Sequence, residues 1–296
     1  MTGAYETSRL AITGAYETSR LAMTGAYEKS RLAMTATDEG IPHVNSTWFR
    51  RFTKSTGGGP RLVCFPHAGG SATAFKELAH HLPSAFDVLA VQYPGRQDRF
   101  REEPFADLGP LVAALAAELT RDLAADPGRP YAFFGHSMGA LVAFETARVL
   151  TAERRLPAPE HLFLSGRGGP EHHDSAYELF DDQDVLDDVR RLGGTDQAML
   201  EDPDLLELVL PALRADYRML GAYEWGGGEP IGVPVTALTG DCDPMTTVED
   251  ARTWQRYTTG DFALEVFPGG HFYLFDHLEK VAAAVTDGLL AGAPPG

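Results

Sequence analysis

Gly135-His136-Ser137-Met138-Gly139 is a Gly-x-Ser-x-Gly pentapeptide that lies between two apolar stretches of different character. The aromatic run Tyr131–Phe134 before it is typical of a buried strand, and Ala140–Leu150 after it is typical of a helix. A serine between a strand and a helix lies on a sharp, strained bend, and the two glycines let neighbouring backbones approach each other closely. The stretch therefore predicts an outward-pointing hydroxyl suited to accept an acyl group.

Strand-like and helix-like segments alternate through the rest of the chain. Further strands are predicted at Arg61–Pro66, Phe86–Tyr93, His161–Ser165, Val233–Thr239 and Phe262–Phe267. Further helices are predicted at Phe75–Leu82, Leu108–Leu123, Val248–Tyr257 and Phe275–Leu290. This alternation indicates an α/β fold with a mainly parallel sheet, helices on both faces and right-handed crossovers.

One segment, about 167–228, contains no convincing strand. Within it, Leu179–Leu192 and Leu205–Leu220 carry apolar residues at helical spacing. A helical insertion that enters after the strand following Ser137 is well placed to act as a lid, whereas the alternative is a plain surface excursion. Its apolar residues exceed what a solvated loop needs, and they include Tyr223 and Trp225. We therefore expect a lid.

The partners that a serine nucleophile needs follow the last two predicted strands. An alkyl hydroxyl requires a base within hydrogen-bond reach, and the base requires an orienting carboxylate. In this kind of sheet the order along the chain is Ser, acid, His. His271 is the predicted base, and either Asp241 or Asp243 is the acid. We choose Asp243 and expect the other aspartate to brace its loop.

Backbone donors for the oxyanion are expected at two places. The first is the N–H of Met138, directly after the nucleophile. The second is the N–H of Ala68, in a Gly-rich loop after an early strand. His67 in the same loop is a possible catalytic group, but we interpret it as structural because main chain alone can do this work.

Composition excludes several function classes. The net charge is −17, which disfavours nucleic acid and anionic membrane surfaces as partners. Apolar runs such as Val281–Val285 are too short to span a bilayer, and the start of the chain has no apolar signal-peptide core. Cys64 and Cys242 show no metal-ligand spacing, and Cys64 reads as a buried free thiol. We expect a cytoplasmic protein without a cofactor.

Residues 1–33 are three near-identical copies of an eleven-residue unit that begins Met-Thr-Gly-Ala-Tyr-Glu. Each copy carries a Gly and several Thr or Ser residues with a thin apolar stripe, so the copies cannot bury a core of their own. We expect residues 1–45 to be a largely disordered tail without a catalytic role, and residues 46–296 to form the folded domain.

Six motifs together resemble one known family. They are Phe65-Pro66-His67-Ala68-Gly69-Gly70, Tyr93-Pro94-Gly95-Arg96, Gly135-His136-Ser137-Met138-Gly139, Leu192-Gly193-Gly194-Thr195, Leu213-Arg214-Ala215-Asp216-Tyr217 and Pro268-Gly269-Gly270-His271-Phe272. The combination resembles the type II thioesterases, the free-standing hydrolases that accompany polyketide synthases and nonribosomal peptide synthetases. The resemblance covers about residues 46–290.

The resemblance implies an α/β-hydrolase fold with a helical lid. It also implies hydrolysis of acyl thioesters from the phosphopantetheine arm of an acyl carrier protein or peptidyl carrier protein, to clear misprimed or stalled units. By the same resemblance, Ser137, Asp243 and His271 form the triad, and Met138 and Ala68 form the oxyanion hole. A bacterial polyketide or peptide antibiotic pathway is the implied setting.

The sequence is compatible with two roles for a group of arginines and with three rival functions. Carrier proteins are usually acidic, so we expect docking through local basic residues (Arg96, Arg99 or Arg101); the alternative is that these arginines only brace their loop. A cyclising thioesterase domain normally follows a carrier domain, for which the 60 residues before Arg61 are too few and too repetitive. A carboxylesterase or lipase is a second rival, and a non-enzymatic binding protein is a third.

Overall fold

The structure, a computed structural model, describes residues 46–154, 156–172, 181–193 and 202–290. The predicted tail, residues 1–45, lies outside the described residues, so the division of the chain at residue 46 stays a prediction. Leu179, the expected start of one insertion helix, lies outside them as well.

Seven strands in this part of the chain form one sheet. They are β1 (Phe49–Arg50), β2 (Arg61–Phe65), β3 (Asp87–Val91), β4 (Tyr131–His136), β5 (Leu162–Ser165), β6 (Val235–Gly240) and β7 (Phe262–Phe267). Their order across the sheet is β1-β3-β2-β4-β5-β6-β7, with β1 antiparallel to β3 and every other neighbouring pair parallel. The predicted α/β class is confirmed. Sequence reasoning missed β1, because two residues are too short to show a strand periodicity.

Eight α-helices accompany the sheet in the described ranges. They are α1 (Lys76–His81), α2 (Leu108–Leu123), α3 (Met138–Ala152), α4 (Asp182–Leu192), α5 (Pro203–Gly221), α6 (Val248–Arg252), α7 (Tyr273–Asp276) and α8 (Leu278–Leu290). Two predicted helices are broken: Val248–Tyr257 continues after α6 as a 3₁₀ helix (Thr253–Tyr257), and Phe275–Leu290 is interrupted at His277. His277 has non-helical dihedral angles, and its Nε2 lies 2.8 Å from the Pro268 carbonyl oxygen.

The side chains of alternating residues in β2 are buried on opposite faces of the sheet. Val63 and Phe65 belong to the hydrophobic cluster that contains the apolar stripes of α2 and α3. Leu62 and Cys64 belong to the cluster that contains α1 and α8. Since successive strand side chains point to opposite faces, a continuous apolar strand is the form that a doubly covered sheet requires. Cys64 is a fully buried free thiol, as expected.

The helices α4 and α5 occupy the described part of the interval between β5 and β6. Their apolar faces join the same cluster as α2 and α3. They are also tied to each other, because the Tyr217 hydroxyl donates to Asp188 at 2.7 Å and Arg214 pairs with Asp182. Both expected insertion helices are therefore present, at Asp182–Leu192 and Pro203–Gly221.

Candidate active site

Ser137 lies on the predicted bend between β4 and α3. Its φ and ψ are 56° and −119°, a conformation that non-glycine residues seldom adopt and that stores strain. The bend is compact, since a Cβ on Gly139 would lie 1.9 Å from the Phe65 carbonyl oxygen and one on Gly135 would lie 2.1 Å from the Gly139 carbonyl oxygen. Both glycines are thus required by close backbone approach, which holds Ser137 at the carboxyl edge of the sheet.

His271 and Asp243 form a buried pair close to the ends of β7 and β6. The Nδ1 of His271 lies 2.8 Å from Oδ2 of Asp243, and both side chains are almost completely shielded from solvent. The other oxygen of Asp243 accepts backbone N–H groups from Met245 at 2.9 Å and Thr246 at 3.2 Å. These bonds orient the carboxylate toward the imidazole, so the pair has the arrangement of a base and its orienting acid.

Asp241 occupies a different environment. It is exposed, and its Oδ1 accepts the N–H of Gly269 at 2.9 Å. That hydrogen bond lowers the pKa of Asp241. Because Gly269 lies two residues before His271, Asp241 braces the loop that carries the imidazole and does not contact the ring through any described hydrogen bond.

The loop 67–72 lies between β2 and α1 and contains Ala68. Its Gly69 N–H donates to Asp216 at 2.8 Å, and its Gly70 N–H donates to the His67 carbonyl oxygen at 2.9 Å. Two of the three successive amides from Ala68 to Gly70 therefore have partners inside the protein. Within the described part of the chain, the Ala68 N–H makes no such hydrogen bond.

One cleft brings these elements together. It is lined by His67, Ala68, Ser137, Val189, Leu192, Tyr217, Met245, His271 and Phe272. The serine, the imidazole and the 67–72 loop thus share one cavity with side chains of α4 and α5. Its walls are mostly apolar with a few polar groups, as in small-molecule sites generally.

Three imidazoles lie close to one another at this cleft. The ring centroids of His136 and His271 are 5.0 Å apart, and those of His67 and His136 are 6.0 Å apart. Burial lowers the pKa of His67 to about 3, with smaller effects from His271 and Arg96. Burial also lowers the pKa of His136 well below its ordinary value, with smaller effects from His271 and His67. His67 and His136 are therefore neutral at neutral pH.

Sequence reasoning did not find a buried polar chain that includes His136, next to Ser137. Nδ1 of His136 lies 2.9 Å from the Ser165 hydroxyl, which lies 2.7 Å from the Tyr273 hydroxyl. Burial raises the pKa of Tyr273. The three residues come from β4, β5 and α7, and only His136 belongs to a motif that the sequence singled out, so no local pattern indicated the chain.

Two of the three arginines considered for carrier docking are buried. Arg96 pairs with Asp216, and Arg99 lies over the Trp48 ring at 4.3 Å and pairs with Glu102. The docking hypothesis is wrong for these two, because their guanidinium groups are committed inside the protein. Arg101 is exposed.

Among the residues that the structure describes, no group of three or more His, Cys, Asp or Glu side chains is arranged to hold a metal ion. None of the helices within the described ranges combines the length and the apolar character needed to cross a bilayer.

The chain is similar to proteins of one family. A family profile described as "Thioesterase domain" matches residues 60–289. Thioesterase PikA5 of Streptomyces venezuelae is 43% identical over 265 residues, which cover 87% of this chain and 92% of the relative. The solved structure of the type II thioesterase BorB from the borrelidin biosynthetic cluster is 39% identical with a TM-score of 0.73, covering 84% of this chain and 100% of that one. The type II thioesterase YbtT of a yersiniabactin pathway is 27% identical with a TM-score of 0.74, covering 83% of this chain and 99% of that one.

Proposed function

Because this chain belongs to the thioesterase family, with an α/β-hydrolase fold and hydrolase activity on thioesters, we propose that it is an editing enzyme of polyketide or nonribosomal peptide synthesis. Its substrates are acyl groups held as thioesters on the phosphopantetheine arm of an acyl or peptidyl carrier protein. Under this proposal the enzyme works in the cytoplasm beside its carrier and clears misprimed or stalled units.

The observation that supports the proposal most is the joint arrangement of Ser137, His271 and Asp243. The serine and the imidazole line one cleft, and the imidazole is paired with a buried carboxylate. Two relatives that are 42% and 39% identical are named as a cadicidin biosynthesis thioesterase and as a type II thioesterase of the borrelidin biosynthetic cluster. Family and geometry together favour thioester hydrolysis over a binding role, which would not need all three groups.

Acylation begins when the Ser137 hydroxyl attacks the thioester carbonyl. His271 accepts the hydroxyl proton at Nε2, while Asp243 holds Nδ1–H and stabilises the imidazolium that forms. The backbone N–H groups of Met138 and Ala68 donate to the oxyanion of the tetrahedral intermediate. Collapse breaks the C–S bond and expels the pantetheine sulfur, a good leaving group that needs little help from a general acid. His271 gives its proton to this sulfur, which departs as the thiol and leaves the imidazole neutral for deacylation.

Deacylation uses the same groups on water. His271 takes a proton from a water molecule, which attacks the acyl-serine carbonyl, and then returns the proton to Ser137. The acid is released and the enzyme is restored. The apolar side chains of α4 and α5 at the cleft contact the acyl chain, which supports the predicted lid role of this insertion.

The decisive experiment compares carrier-bound thioesters with matched oxygen esters. A panel of acyl groups loaded on carrier protein is hydrolysed by the wild-type chain and by Ser137→Ala, with circular dichroism as the control for folding. We expect the variant to lose at least about 10³-fold in kcat and to keep the fold. Equal turnover by Ser137→Ala would refute the mechanism. A preference for oxygen esters would favour a carboxylesterase, and a cyclic product would favour a cyclising thioesterase.

A further inference from the structure

The loop 67–72 is held in place by side chains from other elements. Asp216 of α5 accepts the Gly69 N–H at 2.8 Å. Arg96, which follows β3, donates from Nη1 to the Gly70 carbonyl oxygen at 3.2 Å. Gln92 accepts the Ala72 N–H at 3.1 Å. The conformation of this loop is therefore set by groups that are distant in the sequence.

Asp216 and Arg96 are bound to each other as well as to the loop. The guanidinium is bidentate, with Nη1 at 2.6 Å from Oδ2 and Nη2 at 2.9 Å from Oδ1. The exposed fractions are 2% for Asp216 and 7% for Arg96, so neither charge is solvated. A buried carboxylate is tolerated when it is paired and hydrogen-bonded, and here the pairing also leaves Oδ2 able to accept the Gly69 amide.

The helix α5 contacts Gly69 through a second side chain. A Cβ on Gly69 would lie 2.6 Å from Cδ1 of Leu213, so this leucine packs directly against the Gly69 backbone. Leu213 and Asp216 are three residues apart and share one face of α5. Gly69 has a φ of +71°, which favours glycine, and the absence of a side chain lets Leu213 approach. The helix thus fixes Gly69 by one polar and one apolar contact.

Holding Gly69 constrains the preceding residue. The Gly69 N–H belongs to the peptide group that joins it to Ala68, so a hydrogen bond to Asp216 sets the plane of that peptide. The N–H of Ala68 belongs to the peptide one earlier, and Ala68 is one of the residues that line the cleft with Ser137. The direction in which the Ala68 N–H points therefore depends on how the plane of the Ala68–Gly69 peptide is held.

We propose that Asp216, paired with Arg96, is a positioning residue for the oxyanion hole. It seats the Gly69 amide so that the Ala68 N–H points at the developing oxyanion, and it makes this alignment depend on the docking of α5. The inference rests on the proposed acyl transfer at Ser137. It assigns α5 a part in transition-state stabilisation in addition to lining the cleft.

The test measures kcat and KM on an acyl thioester of N-acetylcysteamine, with active sites counted by fluorophosphonate labelling. For Asp216→Ala we expect kcat per titrated site to fall by about 10- to 100-fold. An N–H that no longer points at the oxyanion stabilises the transition state less, while it contributes little to binding of the ground state. KM should change by less than about threefold. Asp216→Asn should recover part of kcat, since its amide oxygen can still accept the Gly69 N–H.

A tetrahedral inhibitor provides a readout that does not need turnover. An alkylboronic acid forms an adduct with the serine whose oxygen occupies the oxyanion position. Its affinity should weaken by the same factor as kcat in each variant. If the wild-type chain failed to hydrolyse any thioester, the proposed function would fail, while boronate affinity would still report on Asp216.

Matched variants separate positioning from stability. Asp216→Ala leaves Arg96 buried without its carboxylate. The double variant Arg96→Met/Asp216→Leu therefore serves as a second test, because it has neither the unpaired charge nor the acceptor for the Gly69 N–H.

Two control variants break other ion pairs. Asp87→Asn disrupts a buried carboxylate–arginine cluster at the start of β3 and should lower Tm with kcat per site unchanged. Asp182→Asn breaks the Arg214 pair between α4 and α5 and should likewise preserve kcat. If Asp216→Ala and the double variant behaved like Asp87→Asn in kcat and boronate affinity, the proposal would be overturned.

Discussion

Asp241 and Asp243 are two residues apart and have opposite surroundings. Asp243 is buried, receives two backbone N–H groups on one oxygen and contacts His271 with the other. Asp241 is exposed and holds the Gly269 amide. A carboxylate that is shielded from water interacts more strongly with an imidazolium than an exposed one does. We therefore retain Asp243 as the proposed acid.

Asparagine substitutions at these two positions should have unequal effects. Asp243→Asn removes the charge that stabilises the imidazolium and favours the wrong imidazole tautomer, so we expect kcat to fall by about 10³-fold or more. Asp241→Asn retains an oxygen for the Gly269 N–H and should cost less than about tenfold. Steady-state hydrolysis of an acyl thioester measures both. The reverse order of effects would assign the acid to Asp241.

The pH profile should report on one imidazole of the site. Since burial lowers the pKa of His67 to about 3 and that of His136 well below its ordinary value, neither ring gains a proton between about pH 5 and 8. Protonated His271 cannot accept the Ser137 proton, so kcat/KM should fall as the pH is lowered through this range.

A matched variant tests whether the profile belongs to His271. His67→Gln removes a ring that is already neutral, so it should leave the shape of the profile unchanged even if it alters the rate. A flat wild-type profile from about pH 5 to 8 would contradict a histidine base. If His67→Gln lost the pH dependence, the group responsible for it would be His67 and not His271.

The crossing of α3 over β2 depends on a glycine at the first turn of the helix. The Gly139 Cα lies so close to β2 that an added Cβ would be 1.9 Å from the Phe65 carbonyl oxygen. Backbone cannot move aside as a flexible side chain can, so the contact sets the distance between helix and strand. The same approach brings the start of α3, and hence the Met138 amide, beside the end of β2.

Alanine at Gly139 should therefore be far more damaging than alanine at an open glycine. We expect Gly139→Ala to lower the free energy of unfolding by more than about 4 kcal/mol, through a backbone clash that no rotamer relieves. Gly128 has no heavy atom within 4 Å of an added Cβ, and Gly128→Ala should change stability by less than about 1 kcal/mol. Urea unfolding followed by circular dichroism compares the two. A Gly139→Ala protein of wild-type stability would show that the close approach is not required.

Parallel strand order is what brings the separate motifs to one edge. β2, β4, β6 and β7 run in the same direction, so the loops that follow them open on the same side of the sheet. The two hydrophobic clusters on opposite faces hold this sheet between helices. The sheet thus places the loops of four motifs that are distant in the sequence beside one another at one cleft.

Under the proposed function, the net charge of −17 affects association with an acidic carrier protein. Two of the three arginines considered for docking are buried in ion pairs, which leaves less basic surface for attraction. Repulsion between two acidic proteins weakens as salt screens it. We therefore expect kcat/KM for carrier-bound acyl groups to rise about two- to fivefold from about 20 to about 200 mM NaCl.

An uncharged substrate is the control for this salt effect. Acyl N-acetylcysteamine carries the same thioester without a protein, so its kcat/KM should change little over the same range. A decrease in kcat/KM for the carrier substrate with salt would instead indicate a complementary basic surface, and Arg101→Glu would then test the exposed arginine.

Local pattern was sufficient to predict much of this protein, because it reflects short-range physics. Buried strands of a doubly covered sheet are continuous apolar runs, and the bend at Ser137 needs glycines on both sides, so the α/β class and the position of the serine could be predicted from neighbouring residues. The two-residue strand β1 escaped prediction because it is too short to show a periodicity and is defined by its pairing with β3. The break at His277 escaped prediction because it accompanies a side-chain contact with the Pro268 carbonyl oxygen, which no periodicity shows.

The amino-acid order alone determined which loops carry Ser137, Asp243 and His271, because motif spacing and strand order are properties of the chain. Only the tertiary structure decided how Arg96 is used and that Asp216 holds the 67–72 loop. An arginine on the surface and an arginine buried against a carboxylate have the same local sequence signal. Burial and pairing between residues 120 positions apart arise only when the helices and the sheet pack together.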